Sequence, residues 1–152
     1  MLAALAVAEV AAAAPELPFF YYHIPVLTHV DFQMYDLLKE MDAIIPNLAG
    51  IKYTFENMMD YQMCLEFKDR KYTIMWGRDE MLLEALAIGA DTFVGSTYGY
   101  NAPIYNQIRE AFAAGALRAA AFMANVTENR LYSMTDVLGE NLERGEIDVT
   151  LA

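Results

Sequence analysis

Cysteine is almost absent from this sequence: Cys64 is the single one in 152 residues. One thiol cannot close an internal disulfide, so the chain reads as a protein of the reducing cytoplasm. Histidine is nearly as scarce. His23 and His29, taken with Cys64, show no metal-ligand spacing, which argues against a structural zinc site. Positive charge is also short, with 10 Lys and Arg against 21 Asp and Glu and a formal net charge of -11. So acidic a surface repels phosphate backbones and anionic lipid, which excludes nucleic acid and membranes as partners. No Lys or Arg precedes Lys39, so the apolar stretch from Met1 to Ala14 lacks the basic start of a signal peptide. Glu9 interrupts that stretch, and it is too short to span a bilayer. It reads instead as a buried, alanine-rich helix ended by Pro15. Linkers, low-complexity segments and long charge runs are all lacking, which suits a single domain.

What is present is a core-forming composition, 57% hydrophobic and 20% charged. Short β-rich runs alternate with helical stretches. Strands are expected over Leu17 to Tyr22, Ala49 to Tyr53, Tyr72 to Trp76 and Thr92 to Val94. Helices are expected over Asp31 to Ile44, Glu56 to Phe67, Asp79 to Ile88 and Ala102 to Ala114, with a further one from Leu117 to about Leu142 that breaks at Gly139. Asp31 and Thr54 are candidate N-caps, Gly89 sits where a helix C′ glycine belongs, and Gly115 is expected to end its helix. Alternation of this kind implies an α/β fold with parallel strands and crossover helices, but four βα units are too few to close an eight-stranded barrel.

In βα proteins ligands collect at the C-terminal ends of the strands. Those ends carry Tyr22-His23-Ile24-Pro25, then Lys52-Tyr53-Thr54, then Gly77-Arg78-Asp79-Glu80, then Gly95-Ser96-Thr97-Tyr98. Alternation puts Gly50, Lys52 and Thr54 on one face and Ile51 and Tyr53 on the other. A lysine facing a barrel interior loses hydration, which favours the neutral amine that attacks a ketone. The plainer reading has Lys52 reach solvent from a strand end. Tyr22 is either an aromatic core residue or a phenol placed to move protons. Asp79 and Glu80 either complement a helix dipole or accept hydrogen bonds from a polyhydroxylated ligand. Gly95-Ser96-Thr97 reads either as a helix cap or as a loop that offers a hydroxyl and backbone N–H groups to a ligand.

Taken together and in this order, the four strand ends resemble the N-acetylneuraminate lyase and dihydrodipicolinate synthase superfamily. Tyr22-His23-Ile24-Pro25 resembles its Tyr-x-x-Pro element, and Gly50-Ile51-Lys52 its Gly-x-Lys element. Gly77-Arg78-Asp79-Glu80 and Gly95-Ser96-Thr97-Tyr98 resemble the lyase branch more than the synthase branch. The resemblance implies a partial TIM (β/α)8 barrel of about four βα units plus a C-terminal helix, and class I aldolase chemistry. Lys52 would form the pyruvate Schiff base and Tyr22 would relay protons. Thr54, Gly77, Asp79, Glu80 and Ser96 would hold the sugar-derived part of the substrate. N-acetylneuraminate would be cleaved to pyruvate and N-acetylmannosamine. No metal or organic cofactor is implied, because the protonated imine serves as the electron sink. The family also implies a homo-oligomer, a tetramer.

The resemblance covers about residues 5 to 115. The chain is therefore expected to be one partial-barrel domain over 1–152, family-like over 1–115 with a divergent helical tail over 116–152. It departs from the family at His29, where Gly is usual, and at Gly99, where Asn is usual. The loop that binds the pyruvate carboxylate in the family belongs to the front half of the barrel and has no counterpart here. Half a barrel leaves open edges and an uncovered inner face. At about 25 cal/mol per Å² of apolar area, that exposure costs several kcal/mol. Pairing with a complementary half, pairing with a second copy, or aggregation is expected. The alternatives are a dihydrodipicolinate synthase-like 2-oxo acid aldolase and a non-catalytic oligomerising half-barrel.

Overall fold

A computed structural model describes residues 2–127 and residue 136. The elements run α1 (Leu2–Ala12), β1 (Phe19–His23), α2 (Pro25–Thr28), α3 (Met34–Ile44), β2 (Leu48–Tyr53), α4 (Met58–Leu65) and β3 (Thr73–Trp76). A 3-10 turn (Asp79–Met81), α5 (Leu82–Ala87) and α6 (Tyr98–Ala124) follow. The chain groups into two compact units, one up to Tyr105 and one from Asn106.

The sheet is open and parallel, in the order β1-β2-β3. The expected fourth strand is reduced to a single parallel bridge between Phe93 and Trp76. Trp76 N–H donates to Thr92 O and Val94 N–H donates to Trp76 O, which is how a fourth parallel strand would begin. The run is short and lies between Gly89 and Gly95, so it carries few residues that could extend the ladder.

Register sets what each face carries. Tyr22 pairs with Lys52 and Lys52 with Met75, while His23 pairs with Tyr53 and Tyr53 with Trp76. Ile51, Tyr53, Ile74 and Trp76 are buried in one cluster with Met34, Leu37, Leu38 and Met41 of α3 and Tyr61, Cys64 and Leu65 of α4. Tyr61 adds a hydrogen bond from its hydroxyl to Ile74 O at 3.0 Å. The opposite face carries Phe20 and Tyr22, which stay 38% and 46% exposed. This is the alternation of a strand with one buried face.

Several boundaries differ from those read in the sequence. Asp31 does not cap α3. The cap position is Gln33, without a side-chain cap, and the buried Asp60 carboxylate of α4 instead accepts from Met34 N and Tyr35 N at 2.9 Å each. Thr54 does not cap α4 either, because the chain continues to Asn57, whose side chain accepts from Asp60 N. In α1 only Ala4 and Ala11 are buried, while Leu2, Leu5 and Val10 are exposed. Alanine on every side gives that helix no dominant apolar stripe. α6 begins before the expected Ala102, with a non-helical Asn101 (φ -113°) ahead of Pro103, and it continues through Gly115. One interior glycine costs only about 1 kcal/mol, too little to stop a run flanked by alanines. The expected helix to Leu142 lies outside the described residues beyond position 127.

Candidate active site

The strand ends are held level by the ladder itself. Beyond the strands, Thr54 N–H donates to His23 O, Gly77 N–H to Tyr53 O and Val94 N–H to Trp76 O, at 2.8 to 2.9 Å. These bonds bring the four motif-bearing loops to one edge of the sheet.

Lys52 and Tyr22 lie side by side in register on the face away from α3 and α4. The Lys52 Nζ stands 4.2 Å from the centroid of the Tyr22 ring, over its face. That is cation–π distance, and it holds the amine against an aromatic surface. Gly50 makes the arrangement possible. A Cβ there would collide with Thr73 O of β3 and stand 3.0 Å from the Phe20 ring, so only glycine lets the neighbouring strands close up beside Lys52.

Thr54 and Gly77 form a second group. The Thr54 Oγ1 is buried without a hydrogen-bond partner among the described residues, and a Cβ on Gly77 would strike it. Asp79 belongs to a third. Its carboxylate accepts from Thr97 N at 2.7 Å and from Thr97 Oγ1 at 2.6 Å, and Gly95 leaves it room. Asp79 thus binds the residue that precedes α6, beyond the intervening α5. Thr97 Oγ1 also lies 2.6 Å from the Tyr105 hydroxyl. Tyr98 packs edge-on against Tyr105, and burial, reinforced by Asp79, pushes its phenol above the ordinary range. Glu80 is exposed and bound by Arg78 at 3.0 Å. Ser96 is exposed at the same edge. Among the described residues no hydrogen bond joins the Lys52–Tyr22 pair to the other groups.

Asp60 is the residue that sequence reasoning passed over. It takes hydrogen bonds from Gln33 Nε2, Met34 N, Tyr35 N and the Tyr53 hydroxyl, and so ties α3 to β2. The one sequence signal was Asn57 with an acid three residues on, a capping-box pattern that accounts for the Asn57 end alone. His23 is buried next to this cluster, 5.0 Å from the Tyr53 ring and 5.5 Å from Phe55. Burial lowers its pKa, and Asp60 and Asp31 oppose the shift. A cleft of about 530 Å³ between α1 and the end of α3, lined by Leu5, Ala8, Ile44, Pro46 and Asn47 among others, contains none of the motif residues. Among the described residues no group of three His, Cys, Asp or Glu is placed to hold a metal ion, and no helix is long and apolar enough to cross a membrane.

Comparison with known proteins is consistent with this geometry. The dihydrodipicolinate synthetase family model matches residues 7–139. N-acetylneuraminate lyase B of Xenopus laevis is 42% identical over 130 residues, covering 85% of this chain and 48% of the relative. N-acetylneuraminate lyase A of the same species is 45% identical over 113 residues, 74% of this chain and 36% of the relative. The solved structure of N-acetylneuraminate lyase from Aliivibrio salmonicida superposes with a TM-score of 0.71 at 43% identity, covering 76% of this chain and 38% of that one. The open three-stranded sheet is thus part of a TIM barrel, and the chain spans between about a third and a half of the length of the relatives it matches.

Proposed function

This chain belongs to the dihydrodipicolinate synthetase family, and from that premise we propose that it works as the Schiff-base segment of a class I aldolase that cleaves N-acetylneuraminate to pyruvate and N-acetylmannosamine. The observation that supports the reading most is the register of Tyr22 with Lys52, with the amine over the phenol ring at 4.2 Å. In this reading the neutral Lys52 amine adds to the C2 ketone and water leaves, giving a protonated imine. Tyr22 removes the proton from the aldol hydroxyl as the carbon–carbon bond breaks. The bonding electrons pass into the imine, so the lysine nitrogen serves as the sink. Reprotonation and hydrolysis then release pyruvate.

The sugar-derived portion lies along the strand ends. Thr54 carries a buried hydroxyl without a hydrogen-bond partner among the described residues, Gly77 packs closely against it where any side chain would collide, and Glu80 and Ser96 stand at the rim. The Asp79 carboxylate contributes through the loop it shapes, since it is already bonded to Thr97. The lyase substrate is preferred over that of a synthase because the curated relatives that match at 42–45% identity carry the lyase name.

The exposed Phe20 and Tyr22 lie on the side that a complete barrel covers. Activity is therefore proposed to need complementary strands, from the same polypeptide or another. The same exposure favours a second reading, in which the chain is a non-catalytic module that associates through this face. Pyruvate release from N-acetylneuraminate, followed by a coupled dehydrogenase, separates the two. The aldolase reading predicts turnover once the front half of a relative's barrel is supplied, and none in the Lys52→Ala variant. No turnover in the reconstituted protein, with a concentration-dependent oligomer of the chain alone, favours the module.

A further inference from the structure

Arg78 has no role in the motif that contains it, yet its guanidinium reaches two strand-end loops. Its guanidinium binds a single oxygen of Glu80, Oε1, through both Nε and Nη2 at 3.0 Å. Its third nitrogen, Nη1, binds Glu56 Oε2 at 3.2 Å. Glu56 lies in the loop after β2, two residues beyond Thr54, and Glu80 lies in the 3-10 turn after β3. One cation therefore ties together two of the loops that would hold a substrate. Its own backbone is anchored from below, because the fully buried Trp76 donates from Nε1 to Arg78 O at 2.7 Å. Both glutamates are more than half exposed, at 59% and 64%, whereas the arginine is only 28% exposed.

We infer that Arg78 is a positioning residue for a ligand with a polyhydroxylated tail: it fixes Glu80 so that its second oxygen is left for the ligand's hydroxyls. This rests on the aldolase reading and deepens it. The chemistry follows from the fork. A free glutamate on the rim samples several rotamers and pays entropy when it binds a hydroxyl. A guanidinium that occupies Oε1 twice removes that freedom, and Oε2 takes no hydrogen bond among the described residues. The same cation offsets the charge of Glu56 and Glu80 where an anionic keto acid must approach. Lysine keeps that charge and loses the planar fork.

The test compares two probes, pyruvate and N-acetylneuraminate, on the full chain assembled with a complementary barrel half. For each, the concentration that gives half-maximal borohydride-trapped mass on Lys52 is measured in the wild type and in Arg78→Lys. The expected result is a rise of about two- to fivefold for N-acetylneuraminate, the size of an exposed ion pair, with pyruvate unchanged. In a Glu80→Gln background the same lysine substitution adds nothing further. Equal shifts for both probes, no shift for either, or a full effect without Glu80 overturns the role of Arg78 and leaves the aldolase reading standing. Absence of any trapped mass with either probe overturns both.

Discussion

His29 ends α2 in the left-handed region, at φ 56°, with its N–H donating to Pro25 O. The family resemblance leads one to expect glycine at this position, and the backbone supplies a reason. A Cβ in that region costs roughly 1–2 kcal/mol, part of which glycine returns as unfolded-state entropy. His29→Gly is therefore expected to stabilise the chain by roughly 0.5–1 kcal/mol in a thermal melt. Asp60 is the opposite case. Nothing in its local sequence says that a carboxylate in the first turn of α4 caps a different helix 26 residues earlier. Removing it strands the amides of Met34 and Tyr35, while the Tyr53 hydroxyl keeps Asn57 O as its acceptor. Asp60→Ala is expected to cost about 3 kcal/mol or more in urea denaturation. Asp60→Asn keeps an acceptor and should cost less.

Among the elements, the turn from α4 into β3 is the most constrained. Lys68, Asp69 and Arg70 are all left-handed, at φ 49°, 55° and 62°, without a glycine among them. Strain of this kind persists only where the surroundings over-determine it. Here Asp42 of α3 accepts from Lys68 and Lys71 at 2.6 Å each and from the Tyr72 hydroxyl, and Arg70 reaches Gly89 O and Glu66. Lys68, Lys71 and Tyr72 hold the Asp42 carboxyl well below the usual carboxylate range. A depressed carboxylate stabilises the fold above the unfolded-state value near 4, and that contribution is lost as pH falls toward the folded value. Asp42→Asn should lower the thermal midpoint by a few degrees at pH 7, and the gap from wild type should close below pH 4. Asp69→Gly should raise it. The element order was legible in the sequence because period-2 and period-3.6 patterns are local. The turn was not, because its cause is a carboxylate on α3. The cap of α3 was misplaced for the same kind of reason, because Asp60 of α4 binds its first amides, whereas the α4 cap, Asn57, is local.

At the scale of the whole molecule, the sequence made the parallel α/β plan and the ordered strand ends readable. It left open whether Tyr22 belongs to the core, and the parallel register of β1 with β2 pairs it with Lys52. The closed contact of Thr54 with Gly77 and the engagement of Asp79 with Thr97 were not readable, because they depend on how deeply each loop packs. The fourth strand was overestimated because a run of β-formers says nothing about whether a further strand stands beside it. With an open inner face, the proposed chemistry depends on what covers it. Lys52 is nonetheless placed before that cover arrives, by Gly50 beneath it and the Tyr22 ring beside it. The most direct measurement is peptide mapping after pyruvate and borohydride treatment of the chain assembled with a complementary barrel half. The account predicts the mass of one reduced pyruvate on the peptide containing Lys52, abolished in Lys52→Arg and strongly slowed in Tyr22→Phe. An unmodified Lys52 in that assembly, or modification spread over the surface lysines, would contradict it.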